Sequence, residues 1–310
     1  MPDGRECIGS DGTTVTGQRW QRIAAIVNTA VRRGAGDMSH ALKTGLDAWS
    51  DLRIHVVGSS REATEAARHH AAWADIVVAV GGDGTVSNVA TGIFGSSVAL
   101  GIIPAGSTNI VARSLGIPSQ PEAAMTLLIG DHVPRQIDVG RSGDRSFLNM
   151  AGVGFDAEIF RGADPAWKRR LGWLAYLPAA ATALRVKPSL VRVSVDGVLD
   201  EVTSPLVLVA NGGAAITPAF EIYPGIAVDD GWLDVLIFTA ATPVQIAATL
   251  GSAGRRRLDR SPHVIWRRGR TVLVDATPPL MAELDGDVIG ATPRGFHLAP
   301  AAMTVITPPR

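Results

Sequence analysis

The sequence predicts two domains of different class, an α/β domain with a parallel sheet followed by an antiparallel β-sandwich. Short apolar runs alternate with helical stretches as far as about residue 135. Beyond that point helices become rare, and short alternating runs are separated by Asp-Gly turns. The length of 310 residues fits two domains of ordinary size, since a domain has roughly 100–200 residues.

The composition excludes several classes of protein. The chain is 46% hydrophobic and 19% charged, which suits buried cores and is too little charge for a disordered chain. Lys+Arg and Asp+Glu both number 29, so a global basic field for nucleic acid is excluded. The single cysteine, Cys7, excludes an intrachain disulfide. Residues 1–17 lack the apolar core of a signal peptide, and the apolar stretch 171–186 is interrupted by Pro178.

These observations predict a soluble cytoplasmic protein, or one that lies on the inner face of the cell membrane at most. A flexible tail is expected at 1–20, and the α/β domain at 21–135. Its apolar runs predict four parallel strands, at 23–28, 52–57, 75–80 and 98–103. Helical patterns at 39–49 and 61–73 lie between these strands, and further helices follow the last two. This alternation is typical of a parallel sheet that is covered on both faces.

The β-sandwich is expected at 136–298, and residues 299–310 are expected to complete the first domain. Alternating runs predict short strands at 190–195, 206–209, 233–238, 271–274 and 297–298. Asp-Gly pairs between several of these runs indicate turns. One helix, at about 167–184, is expected to interrupt the strands, and the last run, 303–306, to return to the first domain.

Three strand ends in the first domain carry unusual residues, namely Asn28 and the turns 81–85 and 104–109. In an open parallel sheet the carboxyl ends of the strands lie along one edge, where such folds bind ligands. The three glycines of the 81–85 turn let the backbone approach a bulky anion, and the amides of the next helix then point at it. Asp83 beside a phosphate makes sense if Mg²⁺ mediates the contact. The alternative is that this segment is merely a tight turn.

Both turns stand in longer blocks, GGDGTVSNVATGI at 81–93 and GIIPAGSTNIVARSLGIP at 101–118. These blocks resemble the signatures of the diacylglycerol kinase catalytic domain family, which includes bacterial lipid kinases and is similar to sphingosine and ceramide kinases. The resemblance continues through 137–159, 229–238 and 284–290. It implies a Rossmann-like α/β nucleotide domain, then an antiparallel β-sandwich, with the active site in the cleft between them.

The resemblance also implies an ATP-dependent lipid kinase that uses Mg²⁺ and phosphorylates the hydroxyl of a diacylglycerol-like lipid to give a phosphatidic-acid-like product. The ATP-binding residues would be Asn28, Gly81, Gly82, Asp83, Gly84, Thr85, Asn88, Ser107, Thr108 and Asn109. The proton of the lipid hydroxyl would go to Asp287, where the family has Glu, with Asp285 and Asp83 as the other candidates. A Mg²⁺ site typical of bacterial members would combine Asp230 with the main-chain oxygens of Ala227 and Trp232.

Four positions depart from the family pattern. Asn88 and Ile110 stand where the family often has Glu and Asp, Thr29 stands where it has Pro, and Asp287 stands where it has Glu. Two alternatives therefore stay open. One is an NAD-kinase-like phosphotransferase, which shares GGDGT but whose Asn-Asn-Glu block is missing here. The other is a lipid- or nucleotide-binding protein with impaired catalysis.

Two segments predict peripheral contact with a membrane. The segment 167–177 (WKRRLGWLAYL) joins basic and aromatic residues, which suits anionic lipid, although an amphipathic helix packed on the sandwich is the alternative. The segment 255–270 contains seven arginines and either faces the same membrane or forms a solvated loop. It has no stacking aromatic besides Trp266, so we expect no nucleic-acid partner. A homodimer is left open.

His69 and His70 follow one another on the Ala-rich helix predicted at 61–73. No cysteine or carboxylate stands at ligand spacing from them, so a zinc site is not expected. We expect both side chains on the surface.

Overall fold

The computed structural model describes residues 7–8, 14–15, 20–31, 34–46, 51–154, 188–213, 225–240, 242–255 and 257–309. The predicted helix at 167–184, the membrane segment 167–177 and most of the tail at 1–20 lie outside these residues. The chain divides into two compact units. The first comprises Met1–Gly106, Leu115–Gln136 and Met303–Arg310, and the second comprises Ser107–Ser114 and Ile137–Ala302. The domain boundaries at 21–135 and 136–298 stay a prediction.

The first unit contains the predicted parallel sheet. After a short pair, β1 (Cys7–Ile8) and β2 (Thr14–Val15), its strands are β3 (Arg22–Asn28), β4 (Asp51–Val57), β5 (Ile76–Gly81) and β6 (Ala99–Pro104). They run parallel in the order β6-β5-β3-β4. The helices are α1 (Ala35–Leu46), α2 (Ser60–Ala71), α3 (Asp83–Ile93), α4 (Ile110–Ser114) and α5 (Pro121–Ile129), of which α4 belongs to the second unit. Every residue of β5 and β6 is buried, as expected of strands covered on both faces.

Small residues allow α2 and α3 to pack closely. A side chain at Gly92 of α3 would meet the carbonyl oxygen of Thr64 at 2.5 Å, so only glycine fits this crossing. The buried face of α2 consists of Ala63, Ala66, Ala67 and His70. The expectation that His70 lies on the surface is therefore wrong, because it continues the helical stripe of buried alanines. Its Nε2 lies 3.2 Å from Nδ1 of His55, and burial lowers the pKa of His70, with His55 adding to the effect.

The second unit is an antiparallel sandwich, as predicted. Its elements are β7 (Val133–Ser142), β8 (Arg145–Phe147), β9 (Met150–Gly154), β10 (Ser189–Val195), β11 (Val198–Ser204), β12 (Leu206–Ala210), β13 (Leu233–Phe238), α6 (Pro243–Gly254), a 3-10 turn (Leu258–Arg260), β14 (Val264–Gly269), β15 (Thr271–Thr277), β16 (Met281–Leu284), β17 (Asp287–Ala291) and β18 (Arg294–Thr307). One sheet has the order β14-β13-β12-β9-β16-β17, and the other runs β11-β10-β15-β18. β7 begins within the first unit, and β18 ends within it.

The core of the sandwich follows from alternation along its strands. Side chains of β10 point alternately inward and outward, so Val191, Val193 and Val195 are buried. They belong to one cluster with the inward residues of the facing sheet, such as Val207. This cluster fixes the strand register on which the site residues of the second unit depend.

One sequence interpretation of this region is wrong, and one helix was missed. The segment 255–270 is not a solvated loop: it contains the 3-10 turn and β14, and Arg267 forms an ion pair with Asp200 at 2.7 Å. The helix α6 was not predicted. Its capping box, in which Thr242 accepts from the Gln245 N–H and Gln245 bonds back to the Thr242 N–H, was a readable signal.

Within the described ranges, no helix combines the length and the apolar character needed to cross a membrane.

Candidate functional site

The first candidate cluster lies where β5 ends and α3 begins. Gly82 is the N-cap of α3 and supplies no side-chain acceptor to the first turn. The positive end of the helix dipole lies at this turn and favours an anion there. A Cβ on Gly82 would lie 3.3 Å from Cα of Gly106, and one on Gly81 would collide with Thr85. Glycine at 81 is thus required by the Thr85 side chain, and a larger residue at 82 would be crowded against the backbone of Gly106.

Asn28, at the end of β3, joins this cluster as predicted from the sheet. Its Nδ2 donates to Oγ1 of Thr85 at 3.0 Å, and its Oδ1 accepts the N–H of Ala30 at 2.8 Å. Thr85 and Asn88 are buried on α3. The amide of Asn28 therefore holds the first turn of α3 against the end of β3.

The turn 104–109, here called the second glycine turn, follows β6 and approaches the first glycine turn, 81–85. The N–H of Ala105 donates to the carbonyl oxygen of Gly81 at 2.9 Å. Ser107, Thr108 and Asn109 follow Gly106 in the chain and belong by their contacts to the second unit. Asn109 has a φ of 48°, and its carbonyl accepts the N–H of Arg113 in α4.

Asp285 lies in the second unit, in the tight turn between β16 and β17. Its φ is 46° and that of Gly286 is 93°, as two-residue Asp-Gly hairpins require. The carboxylate of Asp285 accepts three backbone N–H groups, from Leu148 at 2.7 Å, Asn149 at 3.0 Å and Met150 at 2.9 Å. The segment is thus a tight hairpin turn, in which Asp285 faces the backbone of residues 148–150.

Asp287 begins β17 and has a different environment. Its Oδ2 lies 2.9 Å from Nη2 of Arg145, and the two side chains are 30% and 29% exposed. Sequence reasoning missed Arg145, which stands 142 positions away and carries no motif. It also missed Glu283, a fully buried carboxylate that accepts the N–H of Gly286 in the same hairpin. Its only signal was a Glu placed two residues before the Asp285-Gly286 pair.

Asp230 lies in the turn before β13. Its Oδ1 accepts the N–H of Trp232 at 3.1 Å, and its Oδ2 lies 3.1 Å from Nη2 of Arg268. Burial raises the pKa of Asp230, and the Trp232 N–H and Arg268 oppose that rise. The residues as arranged do not fit a divalent ion, because a guanidinium occupies the carboxylate oxygen that the ion would need. Nor do three or more His, Cys, Asp or Glu side chains gather at a metal-binding distance anywhere in the described part of the chain.

Asp138 connects this turn to the rest of the second unit. It is 3% exposed, and its carboxylate accepts the N–H groups of Gly231 and Ala301, both at 2.7 Å. Its own N–H donates to the carbonyl of Val228 at 2.7 Å. Asn211, which is fully buried, donates to the Asp138 carbonyl oxygen at 3.0 Å. The turn that carries Asp230 is thus held by a buried carboxylate.

Family comparison agrees with both units. Residues 22–142 match the model of the diacylglycerol kinase catalytic domain, and residues 149–307 match that of the YegS C-terminal NAD kinase beta sandwich-like domain. These two domains together define a kinase-like family of proteins. The chain belongs to the diacylglycerol kinase family, which confirms the resemblance seen in the sequence.

Individual relatives agree with this assignment. Diacylglycerol kinase of Bacillus subtilis strain 168 is 31% identical over 254 residues, which cover 79% of this chain and 82% of that protein. An uncharacterized protein of Synechocystis sp. PCC 6803 is 30% identical over 239 residues, which cover 75% of this chain but only 54% of that protein. The crystal structure of a candidate diacylglycerol kinase from Bacillus anthracis strain Sterne superposes with a TM-score of 0.78 at 25% identity, covering 94% of this chain and 97% of that one. The predicted fold class is confirmed.

Proposed function

We propose that this protein is an ATP-dependent lipid kinase that transfers the γ-phosphate of ATP to the hydroxyl of a diacylglycerol-like lipid. The observation that carries the proposal is the start of α3. There the N-cap is a glycine, on which a Cβ would lie only 3.3 Å from Cα of Gly106, and the first turn is flanked by the Asn28–Thr85 hydrogen bond. A helix N-terminus of this kind binds phosphate through its amides and its dipole.

The nucleotide is assigned to the residues around this start. Backbone amides near Gly82–Thr85 would hold the phosphates, with Asn88 on the same helix and with Ser107, Thr108 and Asn109 contributing from the second turn. Mg²⁺ bound with the nucleotide would neutralise charge on the transferring phosphoryl group, and Asp83 is the carboxylate that the first turn of α3 offers to it.

Proton acceptance is assigned to Asp287 and not to Asp285. Both oxygens of Asp285 already accept backbone N–H groups, whereas Asp287 is partly exposed and bonded to Arg145. As the lipid oxygen bonds to the γ-phosphorus and ADP leaves, the hydroxyl proton would pass to the Asp287 carboxylate. Arg145 would hold the shorter side chain of Asp287 in one position.

Membrane contact is part of the proposal, because the acceptor is a lipid. Arg267 and Arg268 are engaged in ion pairs within the second unit. The contact is therefore assigned to 167–177 and to the arginines near 255–260, and no nucleic acid is required.

One assay tests the proposal. Radiolabelled ATP is supplied with mixed micelles of diacylglycerol or of other lipid alcohols, with NAD, or without acceptor. We expect label in the organic phase with diacylglycerol-type lipids only. Label on NAD would favour the NAD-kinase-like alternative. The matched sandwich domain is described as similar to that of NAD kinase, which is why NAD is included as an acceptor. ATP binding without any labelled acceptor would favour a binding protein with impaired catalysis.

A further inference from the structure

The turn before β13 gathers oxygen atoms around one guanidinium group. Nη2 of Arg268 lies 3.2 Å from the carbonyl oxygen of Gly225, 3.1 Å from Oδ2 of Asp230 and 2.9 Å from Oδ2 of Asp234. Nε of Arg268 donates to the other oxygen of Asp234 at 3.0 Å. Two carboxylates and one main-chain carbonyl thus converge on a single cation. This is the kind of oxygen set that a hard divalent ion takes.

The need for a positive charge here is strong. The side chain of Asp234 is fully buried, and a buried carboxylate is costly unless it is paired and hydrogen-bonded. Trp266 supplies one hydrogen bond, from Nε1 to Asp234 Oδ1 at 2.7 Å. Asp230 adds a second negative charge beside the first. A cation between the two carboxylates is therefore required for the turn to hold its shape.

The position of Arg268 is set by the sheet. Arg268 on β14 and Asp234 on β13 are direct partners in the antiparallel register, so their side chains stand opposite each other on one face. A planar guanidinium also matches a carboxylate through two parallel N–H groups, as Nε and Nη2 do with Asp234. The cation is thus built into the fold.

We propose that Arg268 is the resident cation of this turn and takes the place of a bound divalent ion. The Asp230 turn then needs no Mg²⁺ to fold, and the divalent ion that the proposed reaction uses is a separate one that accompanies the nucleotide. This inference concerns the second unit alone and does not depend on which lipid is phosphorylated.

The test measures thermal unfolding without nucleotide, in EDTA and in 10 mM MgCl₂. For the wild-type protein we expect the same unfolding midpoint in both. In Arg268→Gln the positive charge is removed and the oxygens become available, so we expect a lower midpoint in EDTA and a Mg²⁺-dependent rise of at least about 2 °C. A wild-type midpoint that rises with Mg²⁺ would overturn the proposal.

A matched control lies next to Arg268. Arg267 is exposed to the same degree, 40% against 41%, and pairs with Asp200 instead. Arg267→Gln also loses an ion pair, but we expect no gain of Mg²⁺ dependence. Adding Asp230→Asn to Arg268→Gln should abolish the gain, and a Mg²⁺ response that survives the double substitution would count against the assignment to this turn.

A direct probe covers the case in which Arg268→Gln does not fold. Tb³⁺ binds oxygen sites and emits when a nearby tryptophan is excited, and the indole of Trp266 donates to Asp234 while the backbone N–H of Trp232 donates to Asp230. Wild-type and Asp230→Asn proteins should give the same Tb³⁺ emission without nucleotide. Emission that Asp230→Asn removes would show that an ion binds there despite Arg268.

Discussion

The Asp285–Asp287 hairpin allows a structural carboxylate to be distinguished experimentally from a catalytic one. Asp285 and Asp287 are two residues apart, yet one binds backbone N–H groups and the other binds a side chain. We therefore expect Asp285→Asn to lower stability and Asp287→Asn to lower turnover. The two substitutions remove the same charge, so their difference reports the role of each site.

The loss at Asp285 can be worked from its contacts. One carboxylate oxygen accepts from Asn149 and Met150, and the other accepts from Leu148 at 2.7 Å. Asn keeps one oxygen and places an NH₂ group against at least one N–H, while it tolerates the φ of 46°. An unpaired buried donor costs about 1–3 kcal/mol. At about 2–4 °C per kcal/mol, the unfolding midpoint should fall by about 2–12 °C.

Asp287→Asn should leave stability almost unchanged. It removes a partly exposed pair with Arg145, and such pairs contribute about 0–1 kcal/mol. Loss of a general base costs about 10²–10⁴ in rate, so kcat on the accepted lipid should fall by that factor with little change in ATP affinity. Asp287→Glu restores the family residue and should retain turnover.

The assay combines circular dichroism melts with kcat at saturating ATP. Asp196→Asn is the matched control, because Asp196 also has a left-handed φ, precedes Gly and accepts the N–H groups of Arg270 and Thr271. It should lower the midpoint without affecting kcat. If Asp285→Asn keeps its midpoint but loses turnover, while Asp287→Asn stays active, the assignment of the two roles is wrong.

Three further predictions concern the rest of the chain. Gly82→Val should abolish ATP binding measured by calorimetry, because its side chain would meet the backbone of Gly106, where even a Cβ lies at 3.3 Å; unchanged affinity in a folded variant contradicts the phosphate assignment. Thr242→Ala should lower stability by about 0.5–2 kcal/mol through loss of the α6 cap, with kcat unchanged, and urea unfolding will show it. The pKa of His70 is lowered in the folded state, so the unfolded state binds more protons below about pH 6.5 and the free energy of unfolding should fall as the pH drops through that value. His70→Gln should flatten this dependence in thermal melts at pH 5–7.5. An unchanged pH dependence in the variant would refute the assignment to His70.

The sequence predicted the first unit well, because local patterns determine it. Each predicted parallel strand lies within two residues of the observed one, since continuous apolar runs specify strands buried on both faces. The meeting of Asn28 with Thr85 followed from the rule that parallel strands end at one edge of the sheet. The glycines of the 81–85 turn were recognised from the sequence, but as residues that admit an anion, whereas the structure shows that Gly81 also makes room for the Thr85 side chain.

The contacts that define the second unit could not be predicted in the same way. Arg145 and Asp287 meet through strand pairings that no local pattern encodes. Arg268 looked like one of several arginines in a basic segment, and only the β13–β14 register reveals that it faces Asp234. His70 shows the opposite case, in which the stripe of alanines preceding it was visible in the sequence but was not applied to the histidine.

The final strand gives the chain an unusual order of assembly. Val305 of β18 pairs with Leu100 of β6. The β6 edge of the parallel sheet therefore stays unpaired until about 200 further residues have been synthesised. At about 5–20 residues per second, that edge stays unpaired for about 10–40 s on the ribosome. An unpaired edge of an apolar strand is a template for wrong pairing between chains. Expression of residues 1–135 alone would make this transient exposure permanent, so soluble production of the first unit should depend on supplying residues 303–310 with it.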